Sequence, residues 1–131
     1  MGNISVYLLH ALSLMSYTYG YNEYSCNGRC SFGSYTASGE KFRKDIPSAA
    51  IPLPRKMRLH PFWIGLKTEN GPCIKIRIND KAAPKLIGKR GFDISPYALK
   101  LLIGHSSSTW SGRLELCDKY NNDPDDYIDV D

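Results

Sequence analysis

Three carboxylates in this chain stand where the backbone turns: Glu40, Asp80 and Asp93. A carboxyl can give and take a proton near neutral pH only if burial or a neighbouring negative charge raises its pKa, so each is a candidate for general acid–base chemistry on condition of its surroundings. Glu40 lies in the run Phe32-Gly33-Ser34-Tyr35-Thr36-Ala37-Ser38-Gly39-Glu40-Lys41-Phe42. Gly33 and Gly39 bracket small polar residues there, which lets backbone approach a ligand closely while Phe42 anchors the turn. Tyr35, Thr36 and Ser38 in that loop, with Asn79 and Lys81 beside Asp80, supply hydroxyl, amide and ammonium groups for substrate contacts. The glycine-bordered position of Glu40 predicts an exposed side chain.

These acids need elements to hold them. Residues 73–78, Cys-Ile-Lys-Ile-Arg-Ile, alternate apolar with basic side chains, the period-two pattern of a strand with one buried face, and Asn79-Asp80 follow at its end. Asn70-Gly71 upstream is a hairpin turn signal. Short β-type runs are expected at 57–59 and 62–66, and Leu114-Glu115-Leu116 as a closing strand. Pro47, Pro52 and Pro54 exclude a helix between 44 and 54. After Asp93, Ser95 suits an N-cap, Pro96 the first helical position and Gly104 the C-terminal cap, so a helix of about two turns is expected between them. Its positive end would lower the pKa of Asp93 if close; alternatively Asp93 ties the loop to backbone amides. Short strands with long connections around one helix fit a small closed barrel.

In order along residues 25 to 117, the Thr36-Ala37-Ser38-Gly39-Glu40-x-Phe42 string, Ser48-Ala49-Ala50 with Leu53-Pro54, Lys75-Ile76-Arg77-Ile78-Asn79-Asp80 and Phe92-Asp93-Ile94-Ser95 resemble the rare lipoprotein A family. The resemblance implies a mainly β fold, a six-stranded double-psi β-barrel with one short helix after Asp93 and an N-terminal arm. It further implies a septal lytic transglycosylase acting on peptidoglycan glycan without metal or organic cofactor. In such a reaction the sugar's own C6 hydroxyl attacks, and one carboxyl acts first as acid and then as base. Asp80 and Asp93 would be the central carboxylates, with Glu40 assisting. Two departures stand out. Ile51 occupies the position where the family carries a histidine, and Asp80-Lys81-Ala82-Ala83-Pro84 replaces the family's Asp-Arg-Gly-Pro. Either His60 or His105 substitutes from elsewhere, the carboxylates suffice, or the barrel binds glycan without cutting it, as expansin-like wall-loosening proteins do.

The chain of 131 residues has room for one compact domain. Its net charge of +4 conceals an asymmetry: residues 118–131 carry six Asp against Lys119, a balance of −5, which leaves +9 on the rest. That body suits an anionic polymer such as a wall glycan bearing carboxylates, while no nucleic-acid motif accompanies the charge. Residues 118–131 read as an acidic tail, 21–117 as the barrel, and 1–20 as an apolar arm or an uncleaved export or anchor segment able to touch a membrane. A cell-envelope, periplasmic or extracellular setting follows from the resemblance, and the small size is compatible with a phage lysin or a virion-associated wall-degrading component. Tyr17, Tyr19, Tyr21 and Tyr24 suit a first strand or a carbohydrate-facing lip. Cys26, Cys30, Cys73 and Cys117 allow two disulfides in three connectivities, or four reduced thiols; their spacing is a poor zinc pattern.

Overall fold

The computed structural model describes residues 7–9, 15–17, 35–89, 91–107 and 110–117. Among the described residues the protein is mainly strand, a curled sheet with a short helix packed on it. Seven strands make it: β1 (Met15–Tyr17), β2 (Ser48–Pro52), β3 (Phe62–Lys67), β4 (Ile74–Ala82), β5 (Asp93–Ile94), β6 (Ser111–Arg113) and β7 (Glu115–Cys117), in the spatial order β6-β1-β5-β2-β4-β3-β7. β1 pairs with β5 and β2 with β4 in parallel; every other pairing is antiparallel. Two short departures from expectation are instructive: residues 57–59 form no strand, and β6 is not anticipated by the sequence. β1 contains Tyr17, which suits a first strand, and Tyr7 and Leu8 upstream of it pack on the core. The expected tail, Tyr19, Tyr21, Tyr24, Cys26 and Cys30 lie outside the described residues.

One face of the sheet is apolar. Ala49, Ile51, Ile64, Leu66, Ile76, Ile78 and Ile94 come from four neighbouring strands and enclose Phe92, Leu53 and Leu114. The helix Pro96–Ile103 closes this core with Ala98, Leu99 and Leu102. Its ends match the sequence reading: Ser95 Oγ accepts from Ala98 N at 3.2 Å, Pro96 opens the first turn, and Gly104 at φ 85° donates its N–H to Lys100 O at 2.8 Å. Ser95 Oγ also accepts from Ser48 N at 3.1 Å, so one hydroxyl caps the helix and docks it on β2. Asn70-Gly71 turns β3 into β4 as expected.

A disulfide joins Cys73, just before β4, to Cys117 at the end of β7, crossing over β3 between them. It crosses at Gly65. A Cβ there would sit 2.6 Å from the Cys117 carbonyl oxygen and 2.9 Å from each sulfur. The carbonyl is backbone and cannot step aside without loosening the β3–β7 ladder, so Gly65→Ala is expected to cost about 1–3 kcal/mol, read as a lowered urea midpoint. The disulfide closes a loop of 44 residues. Chain-entropy arguments assign such a loop about 4 kcal/mol, so reduction should lower stability by roughly 2–4 kcal/mol, and an unchanged midpoint under reductant would refute the bond's role.

Candidate active site

The face of the sheet opposite the core carries the acids, and a bulge puts Asp80 there. Across β2 and β4, Ala49 stands opposite Ile78 but Ala50 stands opposite Asp80, so Asn79 is an extra residue at a register shift. Side chains alternate along a strand, and Asp80, two residues after Ile78, would otherwise point into the apolar core. The bulge re-aims it to the other face. On the far side of β2, Ala50 stands opposite Asp93 and Ala49 opposite Ile94. Asp80, Ala50 and Asp93 therefore lie in one row across three strands, with Ile78, Ala49 and Ile94 in the row behind them on the core face. The two acids stand two strand spacings apart at Cα, about 9–10 Å, with Ala50 on the strand between them.

Asp80 is fully buried and Asp93 nearly so. Asp80 Oδ1 accepts from Ala37 N at 2.8 Å and from Lys81 N at 2.9 Å, whereas Oδ2 is buried with no hydrogen-bond partner among the described residues. Burial pushes the carboxyl up to about 7, against the two backbone hydrogen bonds that favour the anion; the Asp93 charge adds to the rise. Asp80 was expected after the strand end; it lies inside β4, whose last residue is Ala82.

Glu40 contradicts the expectation of exposure. Its carboxylate accepts from Arg77 Nε at 3.1 Å and Nη2 at 2.5 Å, and only 13% of the side chain reaches solvent, with 2% for Arg77. Trp63, opposite Arg77 on β3, lays its ring 5.2 Å from the guanidinium and 4.9 Å from Lys75 Nζ. Glu40 thus acts first as the partner of a buried cation. Sequence reasoning missed Arg77, whose alternation with isoleucines reads equally as a solvent-facing base.

The 35–42 loop folds over this face. Thr36 N donates to Glu40 O at 2.7 Å, Gly39 at φ 94° returns its N–H to Thr36 O, Ser38 N reaches Asn79 O at 3.2 Å, and Phe42 is buried. Of the predicted contact residues, Thr36 is buried and spends its hydroxyl on Glu40 O and Ser38 Oγ. Tyr35 is 62% exposed, Ser38 is half-buried, and Asn79 is buried with Oδ1 unpartnered among the described residues. Lys81 joins Ala37 in lining an open cavity of about 310 Å³ beside Asp80. Ile51 is buried in the core, and His60 and His105 are exposed. Among the described residues no three His, Cys, Asp or Glu cluster as metal ligands, and no helix is long and apolar enough to cross a membrane.

No protein-family model matches the chain, and no curated protein matches it in sequence.

Proposed function

We propose that the chain is a peptidoglycan-directed lytic transglycosylase-like enzyme on a double-psi β-barrel, working in the cell envelope or outside the cell. The observation that carries this reading is the row Asp80-Ala50-Asp93, in which a buried carboxyl titrates at about 7 beside a second acid. Such a group holds a proton at neutral pH and can also release one, the double duty the reaction asks of a single carboxyl. Protonated Asp80 gives its proton to the glycosidic oxygen as that bond breaks. The C6 hydroxyl of the same sugar attacks the anomeric carbon, and the Asp80 carboxylate takes the hydroxyl proton, which restores the acid and leaves a 1,6-anhydro end. Burial holds up the proton affinity of Asp80, and the Asp93 charge adds to it. Because Asp80 is covered, substrate contact requires the 35–42 loop to lift Ala37 from the carboxylate.

Two parallel pairings, β1 with β5 and β2 with β4, joined by antiparallel β2 and β5, support the double-psi reading. The disulfide supports an oxidising compartment. Ile51, buried where the resemblance expects histidine, favours a second reading, a non-catalytic expansin-like glycan-binding barrel. Incubation with purified sacculi separates the two. Soluble glycan fragments favour the enzyme, whereas co-sedimentation without release favours the binding module.

A further inference from the structure

The cavity beside Asp80 is walled by Ala37, Leu53, Arg55, Lys81 and residues 82–84, and its two charged residues are both cationic. Lys81 is held rigidly: Nζ donates to Arg55 O at 2.8 Å and to Met57 O at 2.7 Å. An ammonium has three N–H donors, and these two bonds leave one unspent among the described residues. The Arg55 side chain is exposed and has no ion-pair partner among the described residues. Ala37 and Lys81, which both line the cavity, also hold Asp80 Oδ1 through their N–H groups. The acid does not itself line the cavity but is bonded to two residues that do, and at about 310 Å³ the cavity is large enough for a substituent on one sugar ring.

We infer that this cavity is a carboxylate-binding subsite, in which Lys81 and Arg55 hold a carboxylate borne by the sugar next to the bond that Asp80 attends. A fixed ammonium with one free donor and a neighbouring guanidinium form a charge-assisted pair for one anionic group, and the apolar surface of Ala83 and Pro84 takes the carbon to which it is attached. The inference rests on the glycan-directed reading of the site and names the chemistry it selects: acidic sugars over their neutral counterparts. The carboxylate could belong to a lactyl ether or to the ring itself as a uronate.

The test titrates the full chain with N-acetylmuramic acid and with glucuronic acid, each against its neutral twin, N-acetylglucosamine or glucose, following the Ala37 and Lys81 backbone amides by NMR. The acidic sugars should shift both amides and the neutral ones should not. Response to both acids assigns the site to any sugar carboxylate; response to N-acetylmuramic acid alone assigns it to the lactyl group. Arg55→Gln keeps the carbonyl that Lys81 grips and so preserves the local fold; it should weaken acid-sugar binding about tenfold, as should Lys81→Met where that variant folds. Equal shifts from neutral and acidic sugars, no shifts from either acid, or an Arg55→Gln affinity equal to wild type would overturn the inference. Its failure is separable from that of the enzymatic reading. Acid-selective binding without cleavage of sacculi leaves the subsite standing, and cleavage indifferent to Arg55→Gln leaves the enzyme standing.

Discussion

Asp80→Asn is expected to abolish glycan release while making the protein more stable above pH 7. The stability half follows from linkage. The Asp80 carboxyl titrates at about 7 in the fold against 3.8 for an ordinary aspartate. Between those values the native state binds a proton that the unfolded chain has lost, so unfolding free energy falls as pH rises. The contribution is fully present below about pH 4, is lost progressively up to about pH 7, and is constant beyond. Three pKa units correspond to roughly 4 kcal/mol, so the native chain should lose about 3–4 kcal/mol across that window relative to the variant. Asparagine keeps an oxygen for the Ala37 and Lys81 amides and carries no charge to bury. Urea denaturation of both proteins from pH 4 to 8 reads the difference for Asp80 together with its coupling to Asp93, since the titrating groups remote from this pair cancel. Parallel curves would mean that Asp80 titrates normally and is no acid–base group. Activity should fall by about 10²–10⁴, the usual worth of a positioned general acid, which takes release below detection in the sacculus assay.

Arg77→Met should be the most damaging single change outside the apolar core. It would leave the Glu40 carboxylate, largely withdrawn from water, without its guanidinium, and would remove a cation from the Trp63 ring. Breaking such a buried pair from one side costs about 3–5 kcal/mol; the residual exposure of Glu40 brings the expectation to about 3 kcal/mol. Combining it with Glu40→Gln should cost less than the sum of the separate changes, because the double variant buries no orphan charge. A strictly additive cycle would show that the pair is not coupled. The exposed pair Arg43–Asp45 gives the contrast: its 2.8 Å contact lies in solvent, and Asp45→Ala should change stability by about 0.5 kcal/mol or less. Hydrogen exchange should localise the Arg77→Met effect, with the Thr36 and Gly39 amides losing protection as the loop comes off the sheet.

The parts of the fold written in local chemistry were legible from the sequence. Ser95, Pro96 and Gly104 act within one helix, and Asn70-Gly71 within one hairpin, so their meaning needs no distant partner. The alternation at 74–78 likewise gave β4 and its core-facing isoleucines. What local pattern could not show was the fate of the other face. Lys75 and Arg77 alternate identically, yet Arg77 is buried because a loop from forty residues earlier folds over it and supplies Glu40. The bulge at Asn79 was equally hidden. Nothing in Ile78-Asn79-Asp80 announces an extra residue, which exists only relative to Ala49 and Ala50 on the neighbouring strand. The resemblance pairs Asp80 with Asp93, and the register of three strands aligns them on one row; Glu40 is bound to Arg77 beside that row.

The central claim is that Asp80 is the proton carrier of a glycan-cleaving reaction, and mass spectrometry of the soluble products from purified sacculi tests it most directly. Native protein should release fragments ending in 1,6-anhydromuramic acid, Asp80→Asn should release none, and both should remain folded by circular dichroism. Release that persists in Asp80→Asn, or fragments bearing only reducing ends, would contradict the account.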